Sequence, residues 1–394
     1  MFSSRLTWNV ATNRLSKAVD AKRASGIRLL DLTESNPTRA GFDYPRASIL
    51  NALAPASALC YQPDPRGILS ARQAIADYYA ARGNPVMAEA LHLTASTSEA
   101  YAYLFKLLAD PGDEVLVPQP SYPLFEFLAA LESVRIEPYP LNYDAAAGWQ
   151  INMGGLANTI STRTRAVIVV NPNNPTGSFL KTHELQQLNG LCAEHGLALI
   201  ADEVFSDYAF GENAQRVTSL TENRAALTFV LSGLSKISAL PQMKLGWIHV
   251  SGPEGLVADA QAHLDLIADT YLSVGTPVQL ALPELLASRS SLQPQIMGRV
   301  TGNLEYLRGQ CEAAGGCGVL RLEGGWYAVL EILPKIKEEE FALALLEEGD
   351  VFIHPGYFFD FPRQGFLVVS LLTSPEVFRE GIARLMEKVG RGER

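Results

Sequence analysis

Three short patches of this chain carry side chains whose chemistry converges. Asn171-Pro172-Asn173-Asn174-Pro175-Thr176-Gly177 offers amides, Ala201-Asp202-Glu203-Val204 offers carboxylates, and Ser232-Gly233-Leu234-Ser235-Lys236 offers an amine. An amine can hold an aldehyde covalently, a carboxylate can keep a ring nitrogen protonated, and an amide can hydrogen-bond a ring hydroxyl. A pyridine aldehyde asks for all three groups in one pocket. Pyridoxal 5'-phosphate is the cofactor that this set describes.

Each residue also has a plainer reading. Asp202 beside a ring nitrogen would favour the protonated ring, because opposite charges stabilise each other strongly in a low dielectric; alone, it is equally a helix N-cap. Asn174 can donate its amide N–H to a ring oxygen, with Pro172, Pro175 and Gly177 fixing a rigid turn, and Asn-Pro-Thr-Gly is by itself a turn sequence. Lys236 near an aldehyde and a cationic ring would have a lowered pKa and be nucleophilic near neutrality, whereas most lysines are simply exposed.

The phosphate needs an anion site, and Leu93-Thr94-Ala95-Ser96-Thr97-Ser98 runs a strand end into a helix start. Free N–H groups there, with the hydroxyls of Ser96, Thr97 and Ser98, suit an anion, and plain N-capping by Ser96 or Thr97 is compatible with that role. Tyr122, held in Pro120-Ser121-Tyr122-Pro123, is presented rigidly enough to stack on a planar ring.

The elements that must position these residues follow from the apolar pattern. Seven short apolar runs, at Leu91 to Thr94, Glu114 to Pro118, Val134 to Pro138, Ala166 to Val170, Leu197 to Ala201, Thr228 to Leu231 and Trp247 to Val250, alternate with helical stretches. That pattern predicts an α/β fold with a mostly parallel seven-stranded sheet between helices. Asn174, Asp202 and Lys236 each follow the carboxyl end of a predicted strand, where open α/β sheets bind ligands. A second α/β pattern from Gly318 to Val389 predicts a smaller domain. We read residues 1–45 as an N-terminal arm joining that domain, 46–275 as the large cofactor-binding domain and 276–394 as the small one.

A chain of 394 residues, 47% hydrophobic and 19% charged, can bury a large core. A net charge of -10 argues against a nucleic-acid surface or an anionic-lipid tether, since both need clustered basic charge. No apolar run approaches the ~20 residues that span a bilayer. The basic residues Arg5, Arg14, Lys17, Lys22 and Arg23 could mark a transit peptide, but Leu15, Ala18, Val19 and Ala21 repeat at helical spacing up to Gly26, which predicts a structural helix. Cys60, Cys192, Cys311 and Cys317 form no CxxC pair and have no histidines at ligand spacing, so they read as reduced thiols of a cytoplasmic protein, with no metal site.

Taken together, Asn-Pro-Asn-Asn-Pro-Thr-Gly, Asp-Glu-Val and Ser-Lys resemble the class I/II aminotransferases, which are fold type I pyridoxal-phosphate enzymes, from about Asp31 to the C-terminus. The resemblance implies that Lys236 holds the cofactor as a Schiff base, Asp202 pairs with the ring nitrogen, Asn174 contacts the ring hydroxyl and Tyr122 stacks on the ring. It further implies that Ser96, Thr97, Ser98, Ser235 and Lys244 bind the phosphate. Tyr61, before Pro63-Asp64-Pro65-Arg66-Gly67, matches a tyrosine that reaches the phosphate across a dimer, which implies a homodimer with composite sites.

Four positions depart from the family pattern. Lys244 stands where an arginine usually grips the phosphate, replacing a bidentate contact by a single ammonium. Gln242 replaces a glycine, and Phe205 replaces a tyrosine that donates to the ring oxygen. Val368 stands where an arginine usually clamps the substrate carboxylate, leaving either Arg363, Arg39 or His354 as a substitute from a neighbouring loop or a substrate without a carboxylate there.

The activity so implied is transfer of an amino group from an amino acid or amine to a 2-oxo acid. A lyase or decarboxylase on the same fold, or a cofactor-binding regulatory module, are the alternatives, because the fold does not fix which bond breaks.

Overall fold

The computed structural model describes residues 2–6, 8, 12–332 and 337–392. All seven apolar runs form strands of one sheet, and an eighth strand, Gly148–Ile151, is added at its edge. By first residue the strand order is 91, 246, 228, 198, 164, 114, 135, 148. Pairings from Thr228–Gly233 through to Arg135–Asp144 are parallel, while the three outer pairings are antiparallel. The sheet thus has eight strands rather than the seven expected. The sequence Gly148-Trp149-Gln150-Ile151 is only four residues long and interrupted by Gln150, so it does not stand out as an apolar run; it forms by folding back on Arg135–Asp144.

Both faces of the central strands Thr164–Val170, Ala198–Asp202 and Thr228–Gly233 are covered, which is why they read as nearly continuous apolar runs, whereas Arg135–Asp144 at the edge is mostly half-buried or exposed. In Thr164–Val170, Ala166 and Ile168 face a layer that includes Leu104, Phe105 and Leu264 from the helices Thr97–Leu108 and Glu254–Tyr271. Val167 and Val169, one residue out of phase, face Leu188 and Cys192 of the helix Thr182–His195. Each such buried valine, leucine, isoleucine or phenylalanine side chain contributes about 2 kcal/mol by leaving water. Gly196, at φ 65°, ends the latter helix in the left-handed conformation that glycine adopts without strain.

A second, antiparallel sheet runs Cys317–Val319, Tyr327–Ile332, Phe366–Ser370, His354–Pro355. The N-terminal segment joins this unit. Its helix Arg14–Ala24 buries Leu15 and Val19, and Leu30–Asp31 pairs in parallel with Val351–Phe352. Leu15, Val19, Leu30 and Leu32 share one core with Leu346, Ile353, Phe378 and Ile382, and with Leu292 and Ile296 of the helix Arg289–Ala314. The helix before it, Thr276–Ala287, packs instead against Ile49, Ile75 and Trp247. Among the described residues no helix is long and apolar enough to cross a membrane.

Candidate active site

The strands Thr164–Val170, Ala198–Asp202 and Thr228–Gly233 end side by side, and the loops after them open on one cavity of about 340 Å³. Its lining holds Ser96, Thr97, Ser98, Tyr122, Asn174, Asp202, Ser235, Lys236 and Lys244. Nine of the ten residues singled out in the sequence therefore meet there. Tyr61 does not; it is 74% exposed and lies outside the lining.

Asp202 ends its strand buried, with Oδ1 accepting from the Val204 N–H at 3.2 Å and Oδ2 from the Tyr101 hydroxyl at 3.1 Å. The Val204 contact caps a turn over 204–207 rather than the helix that an N-capping aspartate would begin, and it leaves the carboxylate on the cavity. Burial pushes the Asp202 pKa up to about 6, against the pull of those two hydrogen bonds and the Lys236 charge. Glu203 is engaged elsewhere, accepting from the Leu220 N–H at 2.7 Å and the Ser219 hydroxyl at 2.8 Å.

Lys236 lies in the turn of helix Leu234–Ile237 that follows its strand. Burial lowers its pKa to about 8, with Asp202 acting in the opposite sense. Its Nζ sits 4.9 Å from the ring centre of Trp326 and 5.3 Å from that of Phe205. The Tyr208 hydroxyl donates to the Lys236 carbonyl at 2.6 Å and fixes the backbone.

The Asn174 loop is closed on itself, with the Gly177 N–H donating to Asn173 O and the Asn173 N–H to Ser178 O, both at 2.8 Å. Asn174 is buried, and its Oδ1 has no hydrogen-bond partner among the described residues. A buried amide facing a cavity without a partner is suited to a polar ligand.

Ser96 caps the helix Thr97–Leu108, its hydroxyl accepting from the Glu99 N–H at 3.2 Å, so the capping and anion-binding readings coexist. Gly233 and Gly246 bring two strands close at the cavity: a Cβ on Gly233 would lie 2.9 Å from Gly246 Cα, and one on Gly246 3.0 Å from Ser232 O. Lys244 is exposed and left-handed at φ 50°, beside this wall.

These groups fit pyridoxal 5'-phosphate: an amine, a buried carboxylate, a buried side-chain amide and an aromatic ring suit the pyridine aldehyde, and hydroxyls with a helix N-terminus and an ammonium suit the phosphate. Sequence reasoning missed Ser35 and Tyr327, which also line the cavity, and Tyr101 and Trp326, which touch Asp202 and Lys236. The turn-rich stretch Thr33-Glu34-Ser35-Asn36-Pro37-Thr38, which reads as a loop able to cover a site, was the one available signal.

None of the three substitutes for the missing arginine lines the cavity. Arg363 pairs with Glu331 at 2.7 Å and stacks on Phe366, and Arg39 is exposed. His354 packs among Phe352, Phe358 and Phe359, where burial lowers its pKa to about 4. Val368 is 1% exposed, inside an apolar cluster.

Known proteins resemble this chain in sequence and in fold. The family model described as aminotransferase class I and II matches residues 33–385. The alanine aminotransferase of Mycobacterium tuberculosis is 29% identical over 382 residues, covering 93% of this chain and 86% of that protein. The glutamate-pyruvate aminotransferase AlaA of Escherichia coli is 29% identical over 279 residues, covering 69% of this chain and 67% of that one. Among solved structures, the alanine aminotransferase of Pyrococcus furiosus superposes with a TM-score of 0.88 over the whole of both chains at 24% identity, a likeness of fold.

Proposed function

The chain belongs to the class I and II aminotransferase family and is a pyridoxal-phosphate-dependent aminotransferase, and on that premise we propose which of its residues do the work. When bound, the cofactor supplies an aldehyde that receives the amino group and a conjugated ring that draws electrons from the substrate carbon. Everything else is the task of the protein.

Lys236 is the residue that holds the cofactor and, once displaced by the substrate amine, moves the proton at the substrate carbon. What supports this is an amine whose pKa is lowered to about 8, so that a useful fraction of Nζ is the free base near neutrality. Asp202 faces the ring nitrogen; a cation there would stabilise its ionised form against the burial that raises its pKa. Asn174 donates to the ring oxygen and Tyr122 covers the ring. Phe205 offers no hydroxyl, so the ring oxygen has one side-chain donor fewer than the family pattern.

Ser96, Thr97, Ser98, Ser235 and Lys244 hold the phosphate, joined by Tyr61 from the second chain of a homodimer. The supporting observation for Tyr61 is an aromatic side chain exposed in the single chain and separate from its own cavity. A cytoplasmic setting suits four free thiols. The division into an arm of residues 1–45, a large domain and a small domain is part of the reading; the packing of Thr276–Ala287 on Ile49 and Trp247 supports a boundary nearer Ser288 than residue 275.

The amino donor is an α-amino acid and the acceptor a 2-oxo acid, with alanine, glutamate and pyruvate first to be tried because the relatives are named for them. The observation that carries the reading is the approach of Lys236, Asp202 and Asn174 to one cavity. Its test is a half-reaction: the visible band of the bound cofactor should be replaced by the spectrum of the aminated form on adding the donor, and return on adding the 2-oxo acid. Release of ammonia or carbon dioxide without any acceptor would favour a lyase or decarboxylase instead.

A further inference from the structure

Glu323 is a buried carboxylate outside the cavity, and it ties together segments far apart in the chain. Its Oε2 accepts from Lys181 Nζ at 2.5 Å and from the Phe179 N–H at 3.1 Å. Its Oε1 accepts from Arg216 Nε at 3.2 Å and Asn213 Nδ2 at 3.4 Å. The backbone joins in: the Glu323 N–H donates to Gly177 O at 3.0 Å, and the Phe210 N–H to Glu323 O at 2.8 Å.

The contact is too tight for side chains between the segments. A Cβ on Gly177 would lie 2.4 Å from Gly324 O, and one on Gly324 2.5 Å from Tyr208 O. On one side of this junction is the loop that carries Asn174. On the other is Gly324-Gly325-Trp326-Tyr327, whose Trp326 lies against Lys236 and whose Tyr327 lines the cavity. A buried charge cluster of this kind adds little net stability, because desolvation offsets most of the attraction. Its effect is directional: the carboxylate fixes where two walls of the site meet.

We propose that Glu323 is a positioning residue for the cofactor site, holding the Asn174 loop against the segment that carries Trp326 and Tyr327 through Lys181 and Arg216. The inference rests on Asn174 being a cofactor contact. Loss of the carboxylate then lets the loop drift from the ring without touching any atom that binds cofactor.

The test is a double-mutant cycle on cofactor affinity, measured by titrating cofactor-free protein with pyridoxal 5'-phosphate and following its absorbance. Glu323→Gln and Asn174→Ala should each weaken binding by about tenfold, and the double variant should be hardly weaker than either, since both act through one contact. Multiplying effects, or unchanged affinity in Glu323→Gln, would overturn the proposal. Unchanged affinity in Asn174→Ala would overturn the reading of Asn174 and the inference with it. If Glu323→Gln does not fold, Lys181→Gln with Glu323→Gln removes one charge of each sign, keeps the cluster's net charge and enters the same cycle.

Discussion

The Tyr101 hydroxyl donates to Asp202 Oδ2 at 3.1 Å, with both residues buried beneath the cavity. Tyr101 is thereby one of the groups that hold down a pKa which burial raises. Tyr101→Phe keeps the ring, which packs edge-on against Phe125 at 5.3 Å, and removes the donor. The acid limb of the kcat/KM profile should move to higher pH by up to about one unit, because a hydrogen bond to a charged group is worth about 1.5 kcal/mol. An unmoved profile would show that the hydroxyl does not act on Asp202.

Burial raises the folded-state pKa of Asp202 from 3.8 to about 6. Between those values the native protein binds more protons than the unfolded chain, so Asp202 makes stability fall as pH rises from about 4 to about 6. Without cofactor to compensate, Asp202→Asn should be more stable than the parent at pH 8, by about 1 to 3 kcal/mol, while losing transamination. Urea unfolding of the cofactor-free proteins at pH 4 and pH 8 measures this; a variant less stable at pH 8 would contradict it.

Val368 pairs across the strands with Val329 and His354 and lies in one apolar cluster with Phe359 and Phe366. Restoring the family arginine by Val368→Arg would bury a guanidinium there. We expect a loss of about 3 kcal/mol or more and no gain in substrate affinity. Thermal unfolding and KM for the amino donor decide it: a stable variant with a lower KM would mean that the pocket can still accept the clamp.

If Tyr61 serves the partner's site, Tyr61→Ala and Lys236→Ala should complement each other. In a mixed dimer one site combines the intact Lys236 with the intact Tyr61, so random assembly should return about a quarter of parental activity. Activity no higher than that of Tyr61→Ala alone would place the residue outside the composite site.

The sequence made most of the scaffold legible because strands buried on both faces must be apolar throughout. Gly148–Ile151 escaped, since an edge strand closed by a hairpin carries no such run. Lys236, Asp202 and Asn174 were legible because a strand end, a turn and a reactive side chain lie within a few residues of one another. Tyr101 was not: in mid-helix it has the signature of a core residue, and its hydrogen bond spans 101 residues of chain. Tyr327 reaches the cavity, and Glu323 the loop that carries Asn174, only through contacts between segments far apart in the chain, which local sequence does not encode.

We propose that Lys236, and no other amine, carries the cofactor. Borohydride reduction of the cofactor-loaded protein, followed by proteolysis and mass spectrometry, should find the pyridoxyl phosphate group on the peptide containing Lys236, and find none in Lys236→Ala that retains its fold. Attachment at Lys244 or Lys181, or a labelled Lys236→Ala protein, would contradict the account.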